Sequence, residues 1–134
     1  MEYQRSWATF FFQARAGAQL LQVFESNAEY LGPSEFDTFA LPYLTRINKE
    51  VKELLAKEGL PIVPMTVFAK GGHYALESLA KSGYETVGLD WTIDPALARA
   101  KVGDKVTLQG NLDPCALYAP KEEIDKIVKE MAAR

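Results

Sequence analysis

The chain has 134 residues, 48% of them hydrophobic and 25% charged, which is enough apolar material for one core and no bias toward disorder. Its 15 basic and 18 acidic residues are scattered and leave a net charge of -3, so no basic patch marks a nucleic-acid or anionic-membrane surface. The single cysteine, Cys115, has no internal disulfide partner, which fits a reducing compartment and makes the cytosol the expected location.

At the start, the apolar run Trp7 to Phe12 is six residues long and flanked by Glu2, Arg5, Gln13 and Arg15. That is too short for a secretory signal and far short of the roughly 20 apolar residues of a membrane span. YQRSWATFFFQARAG reads instead as a helix closed by Gly17, beginning so abruptly that further chain is expected upstream. LLQVFE then forms the first strand, Leu20 to Glu25. From Pro42 a helix carries Leu44, Ile47, Val51, Leu54 and Leu55 on one face and stops at Gly59. The prolines of PIVPMTVFAKG confine the second strand to Met65 through Ala69.

A helix over His73 to Ser82 turns Tyr74, Leu76, Leu79 and Ala80 inward and closes at Gly83. The third strand covers Thr86 to Leu89. Asp94 and Pro95 make an N-cap and first-turn proline for a short helix ending before Gly103. The fourth strand is Val106 to Gln109, and KEEIDKIVKEMAAR forms the last helix, with Ile124, Ile127, Val128 and Met131 along one face. Strands that read as continuously apolar, alternating with helices, predict parallel pairing with helices packed outside. The expected fold class is α/β: four βα units in one domain over 1–134, as a small open sheet or as part of an eight-unit barrel.

The glycines at 71, 72 and 83 form neither GxGxxG nor a P-loop, which argues against nucleotide binding. The strand ends are nonetheless polar: Glu25 and Ser26, Lys70, Asp90 and Trp91, Asn111 and Asp113. In a parallel α/β fold these share the C-terminal face, where ligands bind. His73 is expected to open its helix and satisfy a local carbonyl. Cys115 is expected to be a small buried hydrophobe, and Asp90 and Asp113 to be loop caps. His73 and Cys115 lack any zinc spacing, so no metal site is expected.

AGAQLLQVFES, LGPSEFDTFALPY, FAKGGHYALESLAKSGYETVGLDWT and VTLQGNLDPCALYAP together resemble the uroporphyrinogen decarboxylase family, over practically the whole chain. The resemblance implies a partial TIM (β/α)8 barrel covering the fourth to seventh βα units. It also implies a cytosolic homodimer that removes carbon dioxide from the four acetate side chains of uroporphyrinogen III to give coproporphyrinogen III. No metal or organic cofactor is implied, because a protonated pyrrole is itself the electron sink. Of the family's substrate contacts the resemblance places Ser26 of the VFES motif here, with Phe24 beside it as a cleft wall. It assigns no catalytic residue to this chain, since the family's arginine, aspartate, tyrosine and histidine motifs lie in other parts of a chain well over twice as long. Glu25, pointing away from Phe24 and Ser26, is expected to be structural.

Two alternatives remain. The chain can be a catalytically inactive half-barrel that only binds a partner. It can also belong with the corrinoid-dependent methyltransferases of the same superfamily, which hold zinc on a neighbouring His and Cys that this chain lacks. Either way, unpaired edges at the first and last strands are expected to make the isolated chain self-associate.

Overall fold

The computed structural model describes residues 3–133. In chain order these form α1 (Tyr3–Arg15), β1 (Leu21–Glu25), α2 (Pro33–Phe39), α3 (Leu41–Lys57), β2 (Met65–Ala69), α4 (Leu76–Ala80), β3 (Thr86–Gly88), α5 (Pro95–Val102), β4 (Thr107–Gln109) and α6 (Lys121–Ala132). Short 3-10 turns at Ala28–Tyr30, His73–Ala75 and Pro114–Tyr118 lie in the loops that leave β1, β2 and β4. Each predicted strand is present, trimmed by one residue at one end in β1, β3 and β4, where the ladder no longer pairs.

The four strands form one sheet in the order β1-β2-β3-β4, all neighbours parallel. The sheet does not close. Each outer strand therefore has a neighbour on only one side, as the sequence reading expected.

One face of the sheet is buried under helices. Leu21, Val23, Met65, Val67, Ala69, Val87 and Leu89 join Leu44, Ile47, Val51 and Leu55 of α3 in a continuous core that also takes Phe11, Phe36, Leu76, Leu79, Ala98 and Val102. The 3-4-3 stripe of α3 is therefore buried as its spacing predicts, with Leu54 at the margin. Pro42 stands in the first turn of α3, and Gly17, Gly59, Gly83 and Gly103 follow their helices with positive φ.

Three expectations need correction. GPSEFDTFA contains α2, a helix that the sequence reading passed over. Pro33 opens it, and the fully buried Phe36 sits four residues before the buried Ala40, one helical step along the same face. The stretch from His73 to Ser82 is not one helix but a 3-10 turn followed by the short α4. The change of pitch buries Ala75, while Tyr74 stays at the surface, where its hydroxyl donates to the Ala28 carbonyl at 2.7 Å and its ring meets Phe36 edge-on. The apolar stripe of α6 has the predicted spacing, yet no residue of α6 is buried: Ile124, Ile127 and Met131 are half-buried, Met131 taking the Asn111 amide at its Sδ, and Val128 is exposed.

Candidate functional site at the C-terminal strand ends

Strand alternation and register define the face of the sheet turned away from the helices. Since Val23, Val67 and Val87 face the helices, their neighbours face the other way: Gln22, Thr66, Thr86 and Thr107 in one row, then Phe24, Phe68, Gly88 and Gln109 in the next. Phe24 is 64% exposed and meets Phe68 edge-on, with ring centroids 6.1 Å apart. Gly88 makes room for that pair, since a Cβ there would lie 2.8 Å from Cδ2 of Phe68.

One step further the strands end, and the chain turns polar. The Lys70 amide donates to the Glu25 carbonyl at 3.1 Å, closing the last β1-β2 pair, so that Ser26 and Lys70 are the first residues beyond the ladder on each strand. Ser26 is exposed in the turn after β1. Glu25 points aside as expected, and its Oε1 accepts the Asn27 amide at 2.9 Å, holding the turn that presents Ser26.

The loops leaving successive strands are tied together. Lys70 Nζ donates to Glu29 Oε1 at 2.9 Å, joining the loop after β2 to the 3-10 turn after β1. Their close approach requires Gly71: its φ is +69°, and a Cβ there would lie 2.5 Å from Cβ of Glu29. Mutual hydrogen bonding and attraction lower the Glu29 pKa and raise that of Lys70, so both stay ionised.

Asp90 is the next tie. It is buried, and its Oδ2 accepts the Gly71 amide at 2.6 Å while Oδ1 accepts the Thr92 amide at 2.9 Å and the Thr92 hydroxyl at 2.6 Å. His73 Nε2 lies 3.1 Å from the same Oδ1 and hydrogen-bonds Thr92 Oγ1. Burial pushes the Asp90 pKa up, but the hydrogen bonds from Thr92 and Gly71 and the attraction of His73 outweigh it, leaving the carboxyl below its ordinary value. Asn111 completes the series: its Nδ2 donates to the carbonyls of Asp90 at 2.8 Å and Ile93 at 2.6 Å, joining the loops after β3 and β4.

Ser26, Phe24, Lys70, Asp90 and Asn111 are thus brought to one end of the sheet, as their positions after the strands imply. Asp113 is the cap that was expected, its Oδ1 accepting the Cys115 amide at 2.8 Å. Two expectations fail here. Cys115 is an exposed free thiol, because the 3-10 turn at Pro114–Tyr118 has no buried side. His73 serves no local carbonyl; its ring reaches the carboxylate of the following βα unit. Sequence reasoning missed Glu29, Gly71 and Thr92. The Asp-x-Thr spacing was a legible side-chain-to-backbone turn signal, whereas Glu29 carries no signal of its own.

A cavity of about 480 Å3 opens on this rim between the loops after β3 and β4, lined by Trp91, Ile93, Asp94, Asn111, Asp113 and Met131 among others, apart from Ser26 and Phe24. Among the described residues no group of three His, Cys, Asp or Glu side chains could hold a metal ion, and no helix is long and apolar enough to cross a membrane.

A parallel sheet with one helix-covered face and a polar C-terminal rim is the arrangement of a barrel-type α/β protein seen in part. The structure of a methyltransferase from Methanosarcina mazei superposes with a TM-score of 0.83 over 98% of this chain and 38% of that one, at 20% identity, a likeness of fold alone. The uroporphyrinogen decarboxylase (URO-D) family model matches residues 8–134, and the chain belongs to that family. It is 61% identical over 119 residues to the uroporphyrinogen decarboxylases of Ovis aries and Homo sapiens, covering 89% of this chain and 32% of each of them. Against the uroporphyrinogen decarboxylase of Salinibacter ruber the identity is 51% over 121 residues, covering 90% of this chain and 33% of that one. The chain therefore spans about a third of the length of the curated relatives it matches.

Proposed function

We propose that this chain forms the Ser26-bearing wall of a uroporphyrinogen decarboxylase, a carboxy-lyase that takes uroporphyrinogen III to coproporphyrinogen III without a metal or organic cofactor, working as a cytosolic homodimer. The observation that supports the reading is that Phe24 and Ser26 are both exposed at the C-terminal end of β1. In a chain of this family that combination suits a flat, polycarboxylate macrocycle: an aromatic edge for a pyrrole and a hydroxyl for a carboxylate.

In this reading the Ser26 hydroxyl donates to a substrate carboxylate, while the Phe24 and Phe68 rings exclude water from one side of the macrocycle. A hydrogen bond to a charged group contributes about 1.5–3 kcal/mol, which orients the substrate without accounting for the rate. Decarboxylation needs a proton on a pyrrole carbon, and that donor belongs to parts of the family's fold outside these residues. The isolated chain then binds the tetrapyrrole and does not turn it over.

The test is a fluorescence titration of the purified chain with uroporphyrin, beside an assay for coproporphyrinogen. The expected outcome is saturable binding, weakened roughly tenfold or more by Ser26→Ala, with no product formed. Affinity unchanged by Ser26→Ala would refute the contact, and product formation would refute the requirement for groups elsewhere. The alternative, an inactive half-barrel that binds only a partner chain, is favoured by the one-sided pairing of β1 and β4. It predicts no porphyrin binding at all.

A further inference from the structure

Resting on that reading, we infer that Lys70 is a second substrate-carboxylate contact beside Ser26, with Glu29 occupying it as an internal stand-in until a ligand carboxylate takes its place. The placement follows from the ladder: the bond from the Lys70 amide to the Glu25 carbonyl closes the last β1-β2 pair, Glu25 with Ala69, so Ser26 and Lys70 are the first residues beyond it on adjacent strands. The two residues thus offer a hydroxyl and an ammonium from adjacent loops of the rim, and a polycarboxylate presents acidic groups around a ring.

The chemistry of the pair supports exchange. The ammonium-carboxylate contact is 2.9 Å, but both side chains are substantially exposed, at 41% for Lys70 and 33% for Glu29. An ion pair so open to water is held weakly and is screened by salt, so a ligand carboxylate of the same charge and geometry can replace the Glu29 carboxylate at little cost. Lys70 meanwhile stays charged in the field of Glu29, Tyr30 and Asp90. Its backbone is fixed, because the next residue, Gly71, is pinned between Glu29 and the buried Asp90 carboxylate. The ammonium can therefore change partners while its main chain stays in place.

A purely structural ion pair and an exchangeable one predict different signs. If the pair only held two loops together, removing either charge would weaken ligand binding alike. If Glu29 competes with the ligand, Lys70→Gln should weaken binding and Glu29→Gln should strengthen it.

The experiment is the uroporphyrin titration of the purified chain and its Lys70→Gln, Glu29→Gln and Lys105→Gln variants at low and moderate salt, with folding checked by circular dichroism. Lys105 is an exposed lysine just before β4, at the opposite end of the sheet, and reports the nonspecific pull of net charge. The expected result is about five- to tenfold weaker binding for Lys70→Gln with a shallower salt dependence, two- to fivefold tighter binding for Glu29→Gln, and little change for Lys105→Gln. Equal affinity in Lys70→Gln and the unaltered chain, or weakening by Glu29→Gln, would overturn this role and leave Ser26 untouched. Absence of saturable binding by the unaltered chain would instead overturn the proposed function and this role with it.

Discussion

The two faces of the same four strands differ sharply. Val67 and Val87 are fully buried against helices, while Phe24, one residue from the buried Val23, is 64% exposed. The helix-facing set is aliphatic, whereas the other face sets Phe24 and Phe68 among Gln22, Thr66, Thr86, Thr107 and Gln109. The difference is one of partners: helices of this chain cover the outer face, whereas the inner face stays open at Phe24, although Thr66 within it is fully buried. Stability should therefore be concentrated in the helix-covered layer, and ligand or partner binding in the open one.

Core truncation should produce the largest contrast between these layers. Leu55→Ala, at a fully buried position, should lower unfolding stability by about 2–5 kcal/mol in a denaturant titration. Phe24→Ser should change it by no more than about 0.5 kcal/mol and should reduce self-association in sedimentation velocity, since it removes an exposed aromatic from the uncovered face. Equal destabilisation by the two substitutions would mean that the inner face is covered in solution.

Next comes the buried tie at the rim. Asp90→Ala strands the Gly71 amide and the Thr92 amide and should cost about 2–4 kcal/mol. Because the folded-state Asp90 pKa lies below its unfolded value of 3.8, its contribution is present above that value and is lost as pH falls through the lower folded pKa. Glu85 behaves in the same sense: burial pushes its carboxyl up, but the Lys52 side chain and the Met65 amide outweigh that. Acid titration should show Asp90→Asn losing stability less steeply below pH 3.8 than the unaltered chain. A parallel acid limb would remove Asp90 from the account.

The smallest effect is expected inside the helix-covered layer. The Tyr84 hydroxyl donates to the Leu44 carbonyl at 2.8 Å, joining the start of β3 to α3, and burial pushes its pKa well above the ordinary phenol value. Tyr84→Phe keeps the ring and should cost about 0.5–1.5 kcal/mol. A larger loss would show that this bond fixes the helix register as well as joining the two elements.

Much of the architecture could be read from the sequence. Strand positions followed from short apolar runs, α3 from its stripe and the glycine beyond it, and α5 from Asp94 and Pro95, whose cap bonds are present at 2.8 and 3.3 Å. What failed did so locally. Phe36 and Ala40 made too short a pattern to announce α2, and Tyr74 read as inward because a uniform helix was assumed where the chain starts with a 3-10 turn. Cys115 read as buried on residue type alone, although nothing around Pro114 gives that turn an inside.

The sequence by itself determined the period and order of the elements and, because every strand ends in polar residues, at which end of the sheet the polar loops gather. It could not determine who meets whom across the loops. The contacts of Glu29 with Lys70 and of His73 with Asp90 span 41 and 17 positions, and both depend on parallel register and the close approach at Gly71. Such contacts carry no periodic signal, since they arise only when separate βα units are laid side by side; that juxtaposition is what turns Ser26 and Lys70 from two strand ends into one candidate carboxylate site.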